Sequence, residues 1–171
     1  MLWNKKHIYC LKWSTFDEIS DQLCVRLQDE NYTPEFVVII ARGGMALGLK
    51  LLHHFNLNNF GTIHLKRNSS SILYPERSTP LIYETNLKNI QGFHTLIVDD
   101  IAGTGSTLNV AINIVKKFKP SSIKTLTLAI NKKCQFIPDL FGIKVNDWVL
   151  FPWEDRRLLE TRPEGVDVVN I

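Results

Sequence analysis

The stretch that decides the fold is Leu96–Thr107, "LIVDDIAGTGST". An apolar run ends in two adjacent carboxylates, Asp99 and Asp100, and passes at once into small and hydroxyl residues. A continuous apolar run of this kind reads as a strand buried on both faces, as in a parallel sheet. The next segment, "TLNVAINIVKKF", sets Leu108, Ala111, Ile112, Val115 and Phe118 on one helical face, and Pro120 stops it. The stretch is therefore a strand, a tight loop and a helix.

Working outward, the same alternation repeats. Upstream, "EFVVII" (35–40) is a second buried strand, followed by the glycine turn "ARGG" and a helix with Met45, Leu49, Leu52 and Phe55 on one face. Residues 7–13, 61–66, the "LIYE" segment, 123–130 and 147–153 read as further strands. A first helix should begin at a capping box, Thr15 with Glu18, and carry Phe16, Ile19, Leu23 and Leu27 inward. Alternating strands and helices predict an α/β domain with a mainly parallel sheet flanked by helices. In such sheets ligands sit beyond the carboxyl ends of the strands, so "ARGG" and "DDIAGTGST" should face one crevice.

Composition agrees with one domain over 1–171. The chain has 171 residues, 44% hydrophobic and 22% charged, with a net charge of +3. Lysines cluster no further than short pairs such as Lys5-Lys6, Lys116-Lys117 and Lys132-Lys133, without the basic stripe of a nucleic-acid-binding protein. No apolar run reaches membrane-spanning length and no leader pattern is seen, so a cytoplasmic location without membrane insertion is expected. Cys10, Cys24 and Cys134 lack metal spacing and read as reduced thiols.

Small residues between a strand and a helix let backbone N–H groups converge on an anion at the helix N-terminus. Thr104, Ser106 and Thr107 add hydroxyl donors, so the loop suits a phosphate. A P-loop would need Lys before its final Ser/Thr, and a dinucleotide fingerprint would need a third glycine. Vicinal carboxylates repel a phosphate, but they suit a vicinal diol or a hydrated Mg²⁺. Phosphate and diol side by side describe a ribose 5-phosphate; a plain helix N-cap with nearby acids is the alternative.

These residues resemble the phosphoribosyl-diphosphate motif of type I phosphoribosyltransferases. The resemblance implies that Asp99 and Asp100 hold the ribose hydroxyls and that Ala102, Gly103, Thr104, Gly105, Ser106 and Thr107 wrap the 5-phosphate. "IIARGGMALG" is similar to the pyrophosphate loop of the 6-oxopurine branch, above all the bacterial xanthine-guanine enzymes. There Arg42, Gly43 and Gly44 would bind pyrophosphate, with a cis peptide before Arg42. The segments "LAINKK" and "DWVLFPWE" look like the family's hood, expected over about 132–160. Lys132 would meet the 6-oxo group, Trp148 would stack on the base and the Val149 backbone would reach its edge.

By the same resemblance Mg²⁺ is the cofactor, with Asp99, Asp100 and Glu154 near it, and Asp99, Asp100 and Arg42 carry the catalysis. The Ser-rich 67–80 stretch would be a lid, and relatives form dimers or tetramers, so a homodimer or homotetramer is expected. The implied reaction moves phosphoribosyl from its diphosphate to guanine, xanthine or hypoxanthine. The chain departs from the branch at Gly103, where relatives place an aspartate that handles the purine N7 proton. That departure keeps two alternatives open: transfer to another nucleobase, or a non-catalytic sensor of the diphosphate.

Overall fold

A computed structural model of the chain describes residues 6–66, 81–162 and 164–171. The lid expected at 67–80 lies outside the described residues. In chain order the elements are β1 (His7–Cys10), α1 (Trp13–Asp29), β2 (Phe36–Ala41), α2 (Met45–His54), β3 (Phe60–Lys66), β4 (Leu81–Asn86) and β5 (His94–Ala102). They continue with α3 (Ser106–Lys116), β6 (Ser122–Asn131), β7 (Leu140–Val145), β8 (Trp148–Leu150), a 3₁₀ turn (Arg156–Leu159) and β9 (Asp167–Asn170).

Six strands form the main sheet in the order β4-β3-β2-β5-β6-β7. All neighbours run parallel except β3 and β4, which are antiparallel with a register shift between His64 and Leu65. The alternation of side chains along each strand divides the core into two layers. Val37, Ile39, Leu96, Val98, Leu126 and Leu128 pack with Leu23 and Leu27 of α1 and Leu47 and Leu51 of α2. Phe36, Val38, Ile40, Ile97 and Ile130 pack on the other face with Leu108, Ala111 and Val115 of α3. Both faces of β2 and of the first half of β5 are thus covered, which is why "FVVIIA" and "LIV" (96–98) are unbroken apolar runs.

The chain leaves β2 toward β3 on one side and β5 toward β6 on the other. This reversal opens a crevice at the carboxyl ends of β2 and β5, where an α/β sheet takes its ligand.

Several local expectations differ from what is found. Helix α1 starts at Trp13, with the Phe16 amide donating to the Lys12 carbonyl at 2.9 Å, and Lys12 gives no side-chain cap. Thr15 therefore lies inside the first turn and does not cap. On α2 the fully buried residues are Leu47 and Leu51, while Met45 and Leu49 are exposed. On α3, Ile114 joins the buried face and Phe118 is exposed.

The hood is also differently built from the expected 132–160. A second, three-stranded sheet has the order β8-β1-β9, all parallel, so the N-terminal strand lies between two C-terminal ones. Residues 140–145 belong to the main sheet, where β7 pairs with β6. No helix among the described residues is long and apolar enough to cross a membrane. Cys10 and Cys24 are buried free thiols, and Cys134 is half-buried and free.

Candidate active site

Two cavities open at the carboxyl ends of β2 and β5. The smaller, about 360 Å³, is lined by Ile101, Gly103, Thr104 and Asn131 on one side and Asp147, Trp148, Val149 and Phe151 on the other. The larger, about 1010 Å³, is lined by Arg42 and Gly43 of the first loop, His64, Tyr83, Trp153 and Asp155, among others. Asp100 and Glu154 line both, so the cavities meet at this pair of carboxylates.

Chain geometry at the junction is tight. The Ala41–Arg42 peptide is cis, as the resemblance implies. A Cβ on Gly43 would stand 2.2 Å from Asp100 Oδ2, so no larger residue fits here while that carboxylate keeps its position. Gly44 is buried and its amide donates to the Ile40 carbonyl at 2.9 Å, turning the chain into α2. Arg42 is exposed at the rim.

The acidic pair divides its work. Asp99 is 7% exposed, and its Oδ1 accepts the Asp100 amide at 3.0 Å; it lines neither cavity. Asp100 Oδ1 accepts the Ile101 amide at 2.6 Å. Burial pushes the Asp100 carboxyl from the usual 3.8 up to about 6, with the Glu154 charge adding to the rise and the Ile101 amide opposing it. Glu154 Oε2 accepts the Phe151 amide at 2.9 Å, folding the chain back after β8.

The loop after β5 forms a cup. Ala102 is buried at its base, and Gly105 adopts φ +83, a left-handed backbone open to glycine at little cost. A Cβ at Gly105 would also meet Phe136 at 2.5 Å. The Gln135 and Phe136 amides donate to the Thr104 carbonyl at 3.2 and 3.3 Å, pinning the loop from outside. Thr104 Oγ1 and Ser106 Oγ are 3.0 Å apart, and Thr107 follows on the first turn of α3. The N-terminus of α3 thus turns the positive end of its dipole and the Thr104 and Ser106 hydroxyls toward the loop, where the Ser106 amide donates to Thr104 Oγ1 at 3.3 Å.

Of the residues predicted for the base, Trp148 and Val149 line the smaller cavity, with Trp148 43% exposed and Val149 buried. Lys132 does not line it. Lys132 is exposed, its amide donates to the Val145 carbonyl at 2.8 Å, and Asn131 takes the lining position. Of the acids that the resemblance places near Mg²⁺, Asp100 and Glu154 face the junction of the two cavities, whereas Asp99 accepts the Asp100 amide and lines neither. Among the described residues no group of three His, Cys, Asp or Glu side chains comes together in a way that could hold a metal.

Sequence reasoning missed Asn131, Asp147 and Phe151 in the smaller cavity and His64 and Tyr83 in the larger. Asn131 had a signal, since it ends β6 at the ligand side of the sheet. Asp147 directly precedes Trp148, and nothing local distinguishes it from a surface turn acid.

Comparison with known proteins agrees with this geometry. Residues 12–156 match the family described as "Phosphoribosyl transferase domain". The human "Phosphoribosyltransferase domain-containing protein 1" is 27% identical over 134 residues, 70% of this chain and 58% of that protein. The chain thus spans little more than half the length of that curated relative. Among solved structures, a purine phosphoribosyltransferase from Pyrococcus horikoshii Ot3 superposes with a TM-score of 0.74 at 27% identity, covering 88% of this chain and 95% of that one. A Helicobacter pylori xanthine-guanine-hypoxanthine phosphoribosyltransferase shares the fold, with a TM-score of 0.75 at 22% identity over 91% of this chain and 100% of that one. The chain belongs to the phosphoribosyl transferase domain family.

Proposed function

We propose that this chain transfers the 5-phosphoribosyl group from phosphoribosyl diphosphate to a 6-oxopurine base, giving the nucleoside 5'-monophosphate and pyrophosphate, as a step of purine salvage in the cytoplasm. The observation that carries this reading is the meeting of the two cavities at Asp100 and Glu154, beside the hydroxyl-lined cup that begins α3.

In this reading the cup of Ala102–Thr107 holds the 5-phosphate through the α3 amides and the Thr104, Ser106 and Thr107 hydroxyls. Arg42 and the Gly43-Gly44 backbone take the diphosphate in the larger cavity, where a guanidinium makes charge-assisted bonds to phosphate oxygens. Asp100 accepts from the ribose hydroxyls, and Asp99 orients it through the Asp100 amide. As the glycosidic bond breaks, the anomeric carbon gains positive charge and the nearby carboxylates favour that charge. Trp148 and Val149 hold the base in line on the far side, with Asn131 and Lys132 at the strand end for its 6-oxo group.

Asp100 and Glu154 supply hard oxygen donors facing both cavities, a fit for Mg²⁺ that arrives with the diphosphate, since this cation is commonly bound by one or two carboxylates plus phosphates. When bound, the ion neutralises the leaving pyrophosphate. The expected homodimer or homotetramer is supported by the exposed apolar strip of Met45, Leu49 and Phe60 around a cleft of about 530 Å³.

Transfer to a different base is a second reading, favoured by one observation. Among the described residues no Lys, Arg or His lines the smaller cavity, whereas Asp100, Asp147 and Glu154 do, and carboxylates accept from amino groups. Pyrophosphate release from phosphoribosyl diphosphate and Mg²⁺, measured with guanine, xanthine, hypoxanthine and adenine in turn, separates the two. Release with the oxopurines alone supports the first reading; release with adenine alone replaces it by the second; release with none leaves the sensor.

A further inference from the structure

Strand β8, which carries Trp148 and Val149, has three residues and pairs within the small sheet through β1 alone. Its register is Ile8 to Trp148, Tyr9 to Val149 and Cys10 to Leu150, and the Leu11 amide adds a bond to the Leu150 carbonyl at 3.0 Å. So short a strand, at the edge of a three-stranded sheet, has little intrinsic stability. Val149 and Leu150 are buried and Trp148 is 43% exposed, and the backbone of β8 sets where all three side chains start.

The start of this strand is held by a contact that spans the length of the chain. Asp147 Oδ2 accepts the amides of both Lys6 and His7, at 2.8 and 3.2 Å. Hydrogen bonds to an ionised acceptor are roughly twice as strong as neutral ones. The amide of Asp167 in turn donates to the Lys6 carbonyl at 3.0 Å, so β9 backs the same point. At the other end, Glu154 Oε2 holds the Phe151 amide. The base-facing strand is therefore bracketed by two carboxylates, and the one at its start ties it to the N-terminal segment.

We propose that Asp147 is a positioning residue for base recognition: by gripping the Lys6 and His7 amides it fixes β8 against β1 and sets the face that Trp148 and Val149 present to the smaller cavity. This rests on the proposed function, in which that cavity receives the base. The consequence is selective. The diphosphate side hangs mainly on β2, β5 and α3 through Arg42, Gly43 and the 102–107 cup, and Glu154, which reaches it from beyond β8, is held by its own bond to the Phe151 amide, so this side depends far less on the grip.

The test uses the full chain and three variants, with KM for the base and for phosphoribosyl diphosphate measured separately beside the melting temperature. Asp147→Ala removes the acceptor and raises the KM for the base at least tenfold, while kcat and the KM for the diphosphate stay within twofold. Asp147→Asn keeps a carbonyl for the two amides and restores the base KM to within about threefold of the parent. Asp147→Glu keeps the charge but displaces the acceptor by one methylene, and it raises the base KM about fivefold; it carries the test if the alanine variant does not fold. An unchanged base KM in the alanine or glutamate variant overturns the proposal. So does an equal rise in both KM values, or an asparagine variant as impaired as alanine. Absence of turnover in the parent chain refutes the proposed function instead. The grip is then read by hydrogen exchange at Lys6 and His7 and by calorimetric binding of guanosine 5'-monophosphate. Faster exchange with weakened binding in Asp147→Ala upholds it, and parent-like values of either overturn it.

Discussion

Replacing Gly43 by alanine should separate activity from stability. The added Cβ would stand 2.2, 2.5 and 2.7 Å from Oδ2, Cγ and Oδ1 of Asp100. Non-bonded carbon contacts are comfortable only at about 3.5 Å and beyond, so the carboxylate must retreat by roughly 1 Å. Only the end of one side chain has to move, and what it loses is its bond to the Ile101 amide. A hydrogen bond of that kind contributes about 1–2 kcal/mol net, which lowers the melting temperature of a domain this size by roughly 2–8 °C. Catalysis suffers more, because a misplacement of about 1 Å at a reacting centre costs about a hundredfold. Steady-state kinetics beside calorimetric melting therefore give a large loss of kcat/KM with a modest loss of stability. A Gly43→Ala protein with parental kcat/KM would refute the claim that the position of Asp100 governs the reaction.

Three further outcomes follow from the same geometry. The Asp100 carboxyl titrates at 3.8 in an unfolded chain and at about 6 in the fold, so the folded state binds more protons between these values. Stability then falls as pH rises from about 4 to about 6, by on the order of 2 kcal/mol after allowing for partial solvent exposure; melting curves of Asp100→Asn across this range should lack the fall. Trp148→Ala removes the flat face at the mouth of the smaller cavity and should raise the KM for the base about tenfold, as the ~1–3 kcal/mol of a stacked base implies. The KM for the diphosphate should stay near the parental value. Leu49→Asp charges an exposed apolar strip without touching the buried face of α2, so light scattering should report a smaller particle with an unchanged melting temperature.

How much of this was legible in the sequence depended on whether the determinant was local. Residues 94–102 announce themselves, because a strand covered on both faces must be apolar and because its two acids, with Gly103 and Gly105 just beyond it, stand at the carboxyl end where an α/β sheet takes ligands. The face of α2 was not legible. "MALGLKLL" is apolar almost all round, so periodicity did not separate Leu47 and Leu51 from Met45 and Leu49, and tertiary packing chose. The capping box failed because a helix can start wherever an amide finds a carbonyl, and Phe16 found Lys12. The hood was hidden most deeply. Its central strand comes from residues 7–10 and one neighbour from 167–170, a pairing between distant segments that no local pattern encodes.

The same distinction holds in the site. Arg42 and Gly43 follow the end of β2, Asp100 stands near the end of β5, and Gly103 and Thr104 come just after it, so reading along strand ends reaches all of these lining residues. Lys132 follows directly on Asn131, the residue that ends β6 at the cavity, and is itself exposed outside the cavity lining. Asp99 was read as a partner equal to Asp100, but it accepts its neighbour's amide and lines neither cavity, a difference that adjacency in the sequence does not reveal.

The central claim is that Asp100 stands where a phosphoribosyl group passes from pyrophosphate to a purine. It is tested most directly by measuring 5'-monophosphate formation from phosphoribosyl diphosphate, Mg²⁺ and guanine or hypoxanthine, with the parent chain and Asp100→Asn side by side. The account predicts nucleotide from the parent and a loss of at least about a hundredfold in the variant, the scale of one removed electrostatic group at a reacting centre. Nucleotide formed equally by both proteins, or by neither while the parent binds the donor, would contradict it.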